Sequence, residues 1–135
     1  MHMLDTDMCI YLLGNRQPGA AARLRAAESG TVATGAITVA ELRYGAMRSS
    51  WREANLELLE AFLQPFEILD FDTRAANYFG AIKYALATQG QLTGPMDMLI
   101  AATALANDAI LVTNNIREFS RVPDLRVENW AEPAT

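Results

Sequence analysis

The sequence predicts an α/β fold, a three-layer α/β/α sandwich with a mostly parallel central sheet, in a single domain over residues 1–135. Short apolar runs of strand length alternate with longer amphipathic segments, which is the pattern of strands joined by helical crossovers. A chain of 135 residues is also long enough to bury roughly two thirds of its unfolded surface, so the domain needs no disulfide framework. The order of the strands does not follow from this pattern.

The N-terminal part is predicted to contain a strand, two helices and a second strand. Pro18 opens the second helix, because a proline ring at the first helical position presets φ and needs no hydrogen bond there. Gly30 follows an alanine-rich segment and marks its end. The predicted ranges are 1–5 for the first strand, Asp7–Leu13 and Pro18–Ala27 for the helices, and Thr31–Thr34 with Ala36–Ile37 for the second strand.

Two helices, a strand and a long helix are predicted in the middle of the chain. Thr38 and Glu41 have the spacing of a capping box, in which each side chain bonds the backbone N–H of the other residue, so Thr38 is predicted to begin a helix. Pro65 ends the next helix because its ring cannot continue one. The predicted ranges are Thr38–Met47 and Trp51–Leu63 for the helices, Glu67–Phe71 for the third strand and Thr73–Gln89 for the long helix.

The C-terminal part is predicted to return to the sheet twice. After the loop Gly90–Gly94, Pro95 stands at the first position of an apolar and mostly buried helix. A continuous apolar run then predicts a buried strand. The remaining predicted ranges are Met96–Ala106 for the helix, Ala109–Thr113 for the strand, Asn114–Phe119 for a loop or short helical turn, and Leu125–Glu128 for a last short strand.

The composition restricts both the kind of metal site and the compartment. Cys9 is the single cysteine and lies in an apolar stretch, so we expect a buried, inert thiol and a reducing, cytoplasmic location. His2 is the single histidine and lies too close to the terminus to be a dependable ligand. A zinc site of cysteines and histidines is therefore excluded, and a bound metal needs oxygen ligands, as Mg²⁺ or Mn²⁺ does. No apolar run approaches the roughly 18 residues of a membrane-spanning helix.

Three carboxylates at wide spacing, Asp5, Glu41 and Asp97, stand where hydrophobic segments meet the amphipathic segments that follow them. In an α/β fold such junctions converge at the carboxyl edge of the parallel sheet, where ligands bind. Carboxylates from separate elements can hold a divalent cation, which activates a bound water and neutralises charge on an attacked phosphate. We therefore expect a magnesium site. The net charge of −5 does not exclude RNA as a ligand, because the metal offsets acids of the site.

Each acid also has a purely structural interpretation. Asp5 or Asp7 can cap the first helix, and Glu41 completes the capping box with Thr38. Asp97, at the third helical position, favours the helix dipole. The coincidence of three such acids favours the metal site over three independent helix ends.

The haloacid-dehalogenase phosphatases are the strongest competing class of enzyme. Asp5-Thr6-Asp7 resembles their D-x-D motif, and Ile110–Asn114 resembles their second motif. That class also needs a lysine and a further acidic pair after the second motif. The sole lysine, Lys83, precedes it, so the order of the parts fails.

Several short motifs, in this order along nearly the whole chain, resemble those of the PIN-domain ribonucleases, and specifically of the VapC-type toxins of bacterial toxin–antitoxin pairs. The motifs are Met3–Asp7, Thr38–Gly45, Gly94–Ala102, and Leu111–Asn115 with Arg117–Phe119. The resemblance implies a PIN-like fold and a magnesium-dependent endoribonuclease that cleaves structured RNA, such as transfer RNA, by a metal-activated water.

The resemblance also implies a role for each site residue. Asp5 and Asp97 would bind Mg²⁺, for which Mn²⁺ can substitute. Glu41 would support the same cluster directly or through water. Thr113 would orient a carboxylate or a phosphate with its hydroxyl.

Two supporting positions depart from the family pattern. Asp7 stands where relatives often carry asparagine or another small polar residue, and it adds a negative charge to the site. Asn115 stands where many PIN domains have a fourth acid, so a second metal site depends on whether Glu118 substitutes for it.

The resemblance further implies a VapB-like antitoxin, whose C-terminal segment lies across the toxin and places a basic side chain in the acid pocket, and a homodimer. An apolar stripe on the helix before Pro65 can line a groove for that segment or pack in the core. It consists of Leu56, Leu59, Phe62 and Leu63. Arginines in three groups can contact RNA phosphates or face solvent. These groups are Arg16, Arg23 and Arg25, then Arg43, Arg48 and Arg52, then Arg117, Arg121 and Arg126.

A catalytically silent PIN-like module that binds RNA or protein is the alternative function. Its acids would serve only as helix caps, and the neutral Asn115 is its best support. Metal-dependent RNA cleavage separates the two functions.

Overall fold

The fold is built around a five-stranded parallel sheet in the computed structural model, which describes residues 1–131. The strands are β1 (His2–Leu4), β2 (Val32–Gly35), β3 (Glu67–Leu69), β4 (Ile110–Val112) and β5 (Val127–Glu128). Their order across the sheet is β3-β2-β1-β4-β5, and every neighbouring pair is parallel. The predicted parallel sheet is confirmed, and β1 is its central strand.

Helices cover both faces of this sheet. They are α1 (Thr6–Leu13), α2 (Pro18–Ala26), α3 (Ala36–Met47), α4 (Arg52–Leu63), α5 (Thr73–Thr88), α6 (Pro95–Ala106) and α7 (Ile116–Phe119). After β3 the chain reverses its direction across the sheet. Because parallel crossovers are right-handed, α1 to α4 therefore pack on one face and α5 and α6 on the other. This arrangement confirms the predicted three-layer sandwich.

Neighbouring residues of each strand supply two separate cores. In β1, Met3 belongs to the core under α5 and α6, whereas Leu4 belongs to the core under α1 to α4. Leu111 and Val112 of β4 repeat this alternation, and all four side chains are fully buried. Apolar residues on both faces are what a parallel sheet covered by helices requires.

The predicted start of α3 is wrong. Ala36 and Ile37, predicted as strand, form its first turn, because the buried Gly35 is the N-cap of the helix directly after β2. A Cβ at Gly35 would lie 2.9 Å from Met3 Cε, so a larger residue there would require the end of the Met3 side chain to shift. Thr38 is consequently the third residue of α3 and does not cap it. The predicted capping box of Thr38 and Glu41 is therefore wrong as well.

Cys9 is fully buried, as predicted, with its Sγ 3.9 Å from Thr34 Oγ1. Burial raises the pKa of this thiol far above its ordinary value, which makes the reactive thiolate rare. Within residues 1–131, no helix is long and apolar enough to cross a membrane.

Candidate active site

The carboxyl ends of β1 and β4 meet at the point where the strand order reverses. In open α/β sheets, ligands bind in the crevice at such a switch point. Asp5 follows β1 directly, and its backbone N–H donates to the carbonyl of Val112 at 3.0 Å. Thr113 follows β4 and is fully buried. The strand order thus brings Asp5 and Thr113, which are far apart in the sequence, to one crevice.

Asp5 is the most deeply buried acid of this crevice, with 4% of its surface exposed. It is the N-cap of α1, and its Oδ1 accepts a hydrogen bond from the Met8 N–H at 2.8 Å. Burial raises the pKa of Asp5 to about 7, against the lowering effects of the Thr113 hydroxyl and the Met8 amide. The charges of Asp7 and Asp97 raise this pKa further. Asp5 therefore combines the cap and the site position, and Asp7 is not the cap.

Asp97 lies at the third position of α6, as predicted. Burial raises its pKa to about 6, and the negative charges of Glu118, Glu41 and Asp7 add to this effect. The ion pairs present in residues 1–131 involve Glu128, Glu60 and Asp108, and none includes these site acids. The crevice therefore concentrates negative charge that no salt bridge of the described chain neutralises.

Glu41 reaches the crevice from α3 and is held by a neighbouring hydroxyl. Thr6 Oγ1 donates to Glu41 Oε1 at 2.6 Å and lies 3.1 Å from Thr38 Oγ1. An O–H···O bond of this length is typical of a donor bound to an ionised carboxylate. The sequence motifs included Thr6 and Thr38 without assigning them a part in the site.

Glu118 completes the crevice from the side of β4. Its Oε2 accepts from Asn115 Nδ2 at 2.5 Å, and its Oε1 accepts from the Gly94 N–H at 3.4 Å, next to the start of α6. The Asn115 N–H in turn donates to Thr113 Oγ1 at 2.9 Å. Glu118 thus lies close enough to Asp97 for its charge to raise the Asp97 pKa. The sequence alone left the role of Glu118 open. The three-residue spacing of Asn115 and Glu118, which is about one helical turn, is the sequence feature that could have predicted their contact.

The donor chemistry of the crevice fits a hard divalent cation. Its side chains offer only oxygen ligands, and a cation would offset the burial and the neighbouring negative charges that raise the pKa of Asp5 and Asp97. Within residues 1–131, no three aspartate, glutamate, histidine or cysteine side chains converge closely enough to hold an ion as they stand. Mg²⁺ usually keeps several waters and binds only one or two carboxylates, so a pair of these acids with water is the donor set that suits it.

An apolar groove of about 430 Å³ leads away from Glu41 between α1, α3 and α4. Of the predicted α4 stripe, Leu59 lines this groove, Phe62 lines a second cavity of about 370 Å³, and Leu63 packs against the core. The other groove residues come from the same three helices and the loop after α1. They are Ile10, Leu13, Gly14, Arg16, Leu42, Gly45, Ala46, Asn55 and Leu58.

The predicted arginine groups do not form one ring around the acids. Arg126 pairs with Asp108 at 3.1 Å, at the opposite, amino edge of the sheet because Asp108 precedes β4. Arg23 lines a cavity with His2, also at that edge. Arg16 lies in the groove that begins at Glu41. Sequence spacing does not encode which edge of the sheet an exposed side chain faces.

Residues 2–125 match the family model of the PIN domain. Ribonuclease VapC2 of Haemophilus influenzae is 44% identical over 129 residues, which cover 96% of this chain and 97% of that protein. The tRNA(fMet)-specific endonuclease VapC of Shigella flexneri is 40% identical, with the same coverage. The solved structure of DNA-bound VapBC from Salmonella typhimurium superposes with a TM-score of 0.91 at 40% identity, covering 96% of this chain and 97% of that chain.

Proposed function

The chain belongs to the PIN-domain family and, within it, to the VapC ribonucleases, and on this basis we propose that it is a magnesium-dependent toxin that cleaves structured RNA, specifically transfer RNA. The observation that carries the proposal is the crevice of carboxylates, in which Asp5 and Asp97 have raised pKa values and no salt bridge within residues 1–131. The tRNA endonuclease among its relatives supports the choice of substrate.

In this proposal Asp5 and Asp97 hold the ion, and Glu41 supports it directly or through water. When bound, Mg²⁺ supplies an activated water and neutralises charge on the attacked phosphate, and Mn²⁺ can substitute for it. Thr113 orients the neighbouring Asp5 carboxylate, whose pKa its hydroxyl lowers. Asp7 adds negative charge at the mouth of the crevice.

The alternative of a catalytically silent module loses its main support. That support is the neutral Asn115, which stands where the resemblance to PIN domains implies a fourth acid. Glu118 is bonded to Asn115 and lies beside Asp97, so it supplies the missing charge. Asn115 then serves to position Glu118.

A VapB-like antitoxin is the proposed partner, since the solved relatives include VapBC complexes. The groove offers apolar contacts from Ile10, Leu13 and Leu58, whose exposed fractions are 38%, 38% and 62%. A basic side chain at its Glu41 end would meet the negative crevice, so the antitoxin segment would compete with the cation and RNA. A homodimer is also proposed, which would present two crevices to one folded RNA.

The function is tested by incubating antitoxin-free protein with a pool of total small RNA in Mg²⁺. We expect discrete products that disappear in chelator and with Asp97→Asn, because both changes remove the ion from the crevice. Sequencing the product ends identifies the RNA cut. Absence of products from folded wild-type protein, or products that persist in chelator, would contradict the proposal.

Leu58→Glu is expected to weaken binding of the cognate antitoxin by about 30-fold, equal to about 2 kcal/mol for a central interface residue. The new charge would lie on the apolar wall of the groove, where an antitoxin side chain is expected to pack. Titration calorimetry measures the loss. Tyr84→Glu is the matched control, because Tyr84 is 74% exposed on α5, on the other face of the sheet. If Leu58→Glu and Tyr84→Glu bind the antitoxin with equal affinity, the antitoxin does not bind in this groove.

A further inference from the structure

The hydroxyls of Thr38 and Thr6 form a chain of hydrogen bonds that reaches Glu41. Thr6 is the first residue of α1 and follows Asp5 directly, while Thr38 lies one helical turn before Glu41 on α3. The Thr6 oxygen is 2.6 Å from Glu41 Oε1 and 3.1 Å from Thr38 Oγ1. We propose that Thr6 and Thr38 are positioning residues that orient Glu41 and thereby set the affinity of the crevice for a divalent cation. This inference rests on the proposed function of the acid site.

A single hydroxyl, that of Thr6, is the donor in both contacts. The bond to Glu41 is the shorter of the two and is charge-assisted, because a carboxylate only accepts. The same hydroxyl faces Thr38 Oγ1 at 3.1 Å. The result is a relay in which Thr6 joins Thr38 to Glu41.

Thr38 differs from an ordinary helical threonine in its choice of partner. Inside a helix a threonine hydroxyl commonly donates to the carbonyl four residues earlier, as Thr103 does to Leu99 at 2.9 Å. Thr38 is equally buried, with no exposed surface, yet its hydroxyl contacts Thr6 of another helix. A buried hydroxyl without a partner is costly, so Thr38 depends on Thr6 and holds it in place.

The relay restricts the orientation of Glu41, the most flexible of the three site carboxylates. A glutamate has more rotatable bonds than an aspartate, and Glu41 lies on a helix that starts after a different strand from Asp5. The hydrogen bond fixes the orientation of the carboxylate and occupies one lone pair of Oε1, so Oε2 keeps more of its capacity to bind a cation. Because Thr6 adjoins Asp5, one short segment of chain positions both acids. Partners that orient a ligand in this way commonly change metal affinity or activity by about 10–100-fold.

Thr6→Val is expected to raise the Mn²⁺ dissociation constant of the antitoxin-free protein at least about 10-fold. Valine keeps the shape of threonine but cannot donate to Glu41. Thr38→Val should weaken binding in the same direction but less, because it acts through Thr6. Thr6→Ser should bind like the wild type, because the hydroxyl is retained. Free Mn²⁺ is measured by electron paramagnetic resonance, which requires no RNA and no turnover.

Thr103→Val is the matched control, since it removes a buried hydroxyl whose bond lies within its own helix. It should lower the melting temperature and leave Mn²⁺ affinity unchanged. Wild-type affinity in Thr6→Val would overturn the relay, and if that variant does not fold, wild-type affinity in Thr38→Val would do so. Wild-type protein that binds Mn²⁺ no better than Asp5→Asn would instead overturn the proposed metal site, and the relay with it.

Discussion

Asp5→Asn should reduce RNA cleavage by at least about 10²–10³-fold while the protein stays folded. Asp5 is almost fully buried at the end of the central strand, so no mobile carboxylate can easily replace its charge. Asparagine caps helices about as well as aspartate, so the bond from the Met8 N–H is retained. Only the negative charge is lost. Single-turnover cleavage of the identified RNA at fixed Mg²⁺ measures the effect.

Asp72 provides the control for the capping role of Asp5. It caps α5 by accepting from the Ala75 N–H at 3.0 Å, and it is an exposed residue outside the crevice. Asp72→Ala should cost about 0.5–2 kcal/mol of stability and leave cleavage intact. Asp5→Ala should lose both stability and cleavage. A normal rate for Asp5→Asn would show that the charge of Asp5 has no part in the reaction.

The metal-free protein should be more stable near pH 5 than near pH 8. Burial raises the pKa of Asp5 from 3.8 to about 7 and that of Asp97 to about 6, so the folded state binds protons more tightly than the unfolded chain. This contribution is complete below pH 4 and is lost as the pH rises through the folded-state values. For Asp5 the whole loss, from below pH 4 to above pH 7, is on the order of 4 kcal/mol, of which roughly 2–3 kcal/mol falls between pH 5 and pH 8. The half-buried Asp97 adds less. Urea unfolding in chelator at several pH values measures it.

Two controls assign this pH dependence to the crevice. Asp5→Asn removes the group with the largest effect, so its stability should change much less between pH 5 and pH 8. Saturating Mg²⁺ should stabilise the wild type more at pH 8 than at pH 5, because the ion binds ionised carboxylates and protons compete with it. Parallel pH profiles of the wild type and Asp5→Asn would place the effect elsewhere in the protein.

The parallel sheet and the position of the three junction acids could be predicted from the sequence for a physical reason. Strands buried on both faces are continuous apolar runs, and residues after such runs share one edge of the sheet. The predicted start of α3 is two residues late because β-branched Ile37 favours a strand, whereas in the fold the strand ends at Gly35, where a larger residue would displace the Met3 side chain. The contact between Gly35 and Met3 exists only in the assembled fold.

Other parts of the site depend on contacts that local patterns do not encode. Glu118 enters the crevice because α7 turns it toward the start of α6, and Asn115 holds it there. The bond from Thr6 to Glu41 joins residues 35 positions apart. The order of the strands brings these partners together, and that order is decided by packing across the whole sheet.

The central position of β1 determines when the site can exist during synthesis. β1 pairs with β4, and His2 of β1 lies opposite Ile110 of β4. A chain leaves the ribosome N-terminus first at about 5–20 residues per second, so Asp5 emerges long before Asp97 and Thr113. A growing chain that has not reached β4 has one unpaired edge on its central strand and only part of the acid crevice. The ribosome must therefore have synthesised the chain beyond Thr113 before an active nuclease can form.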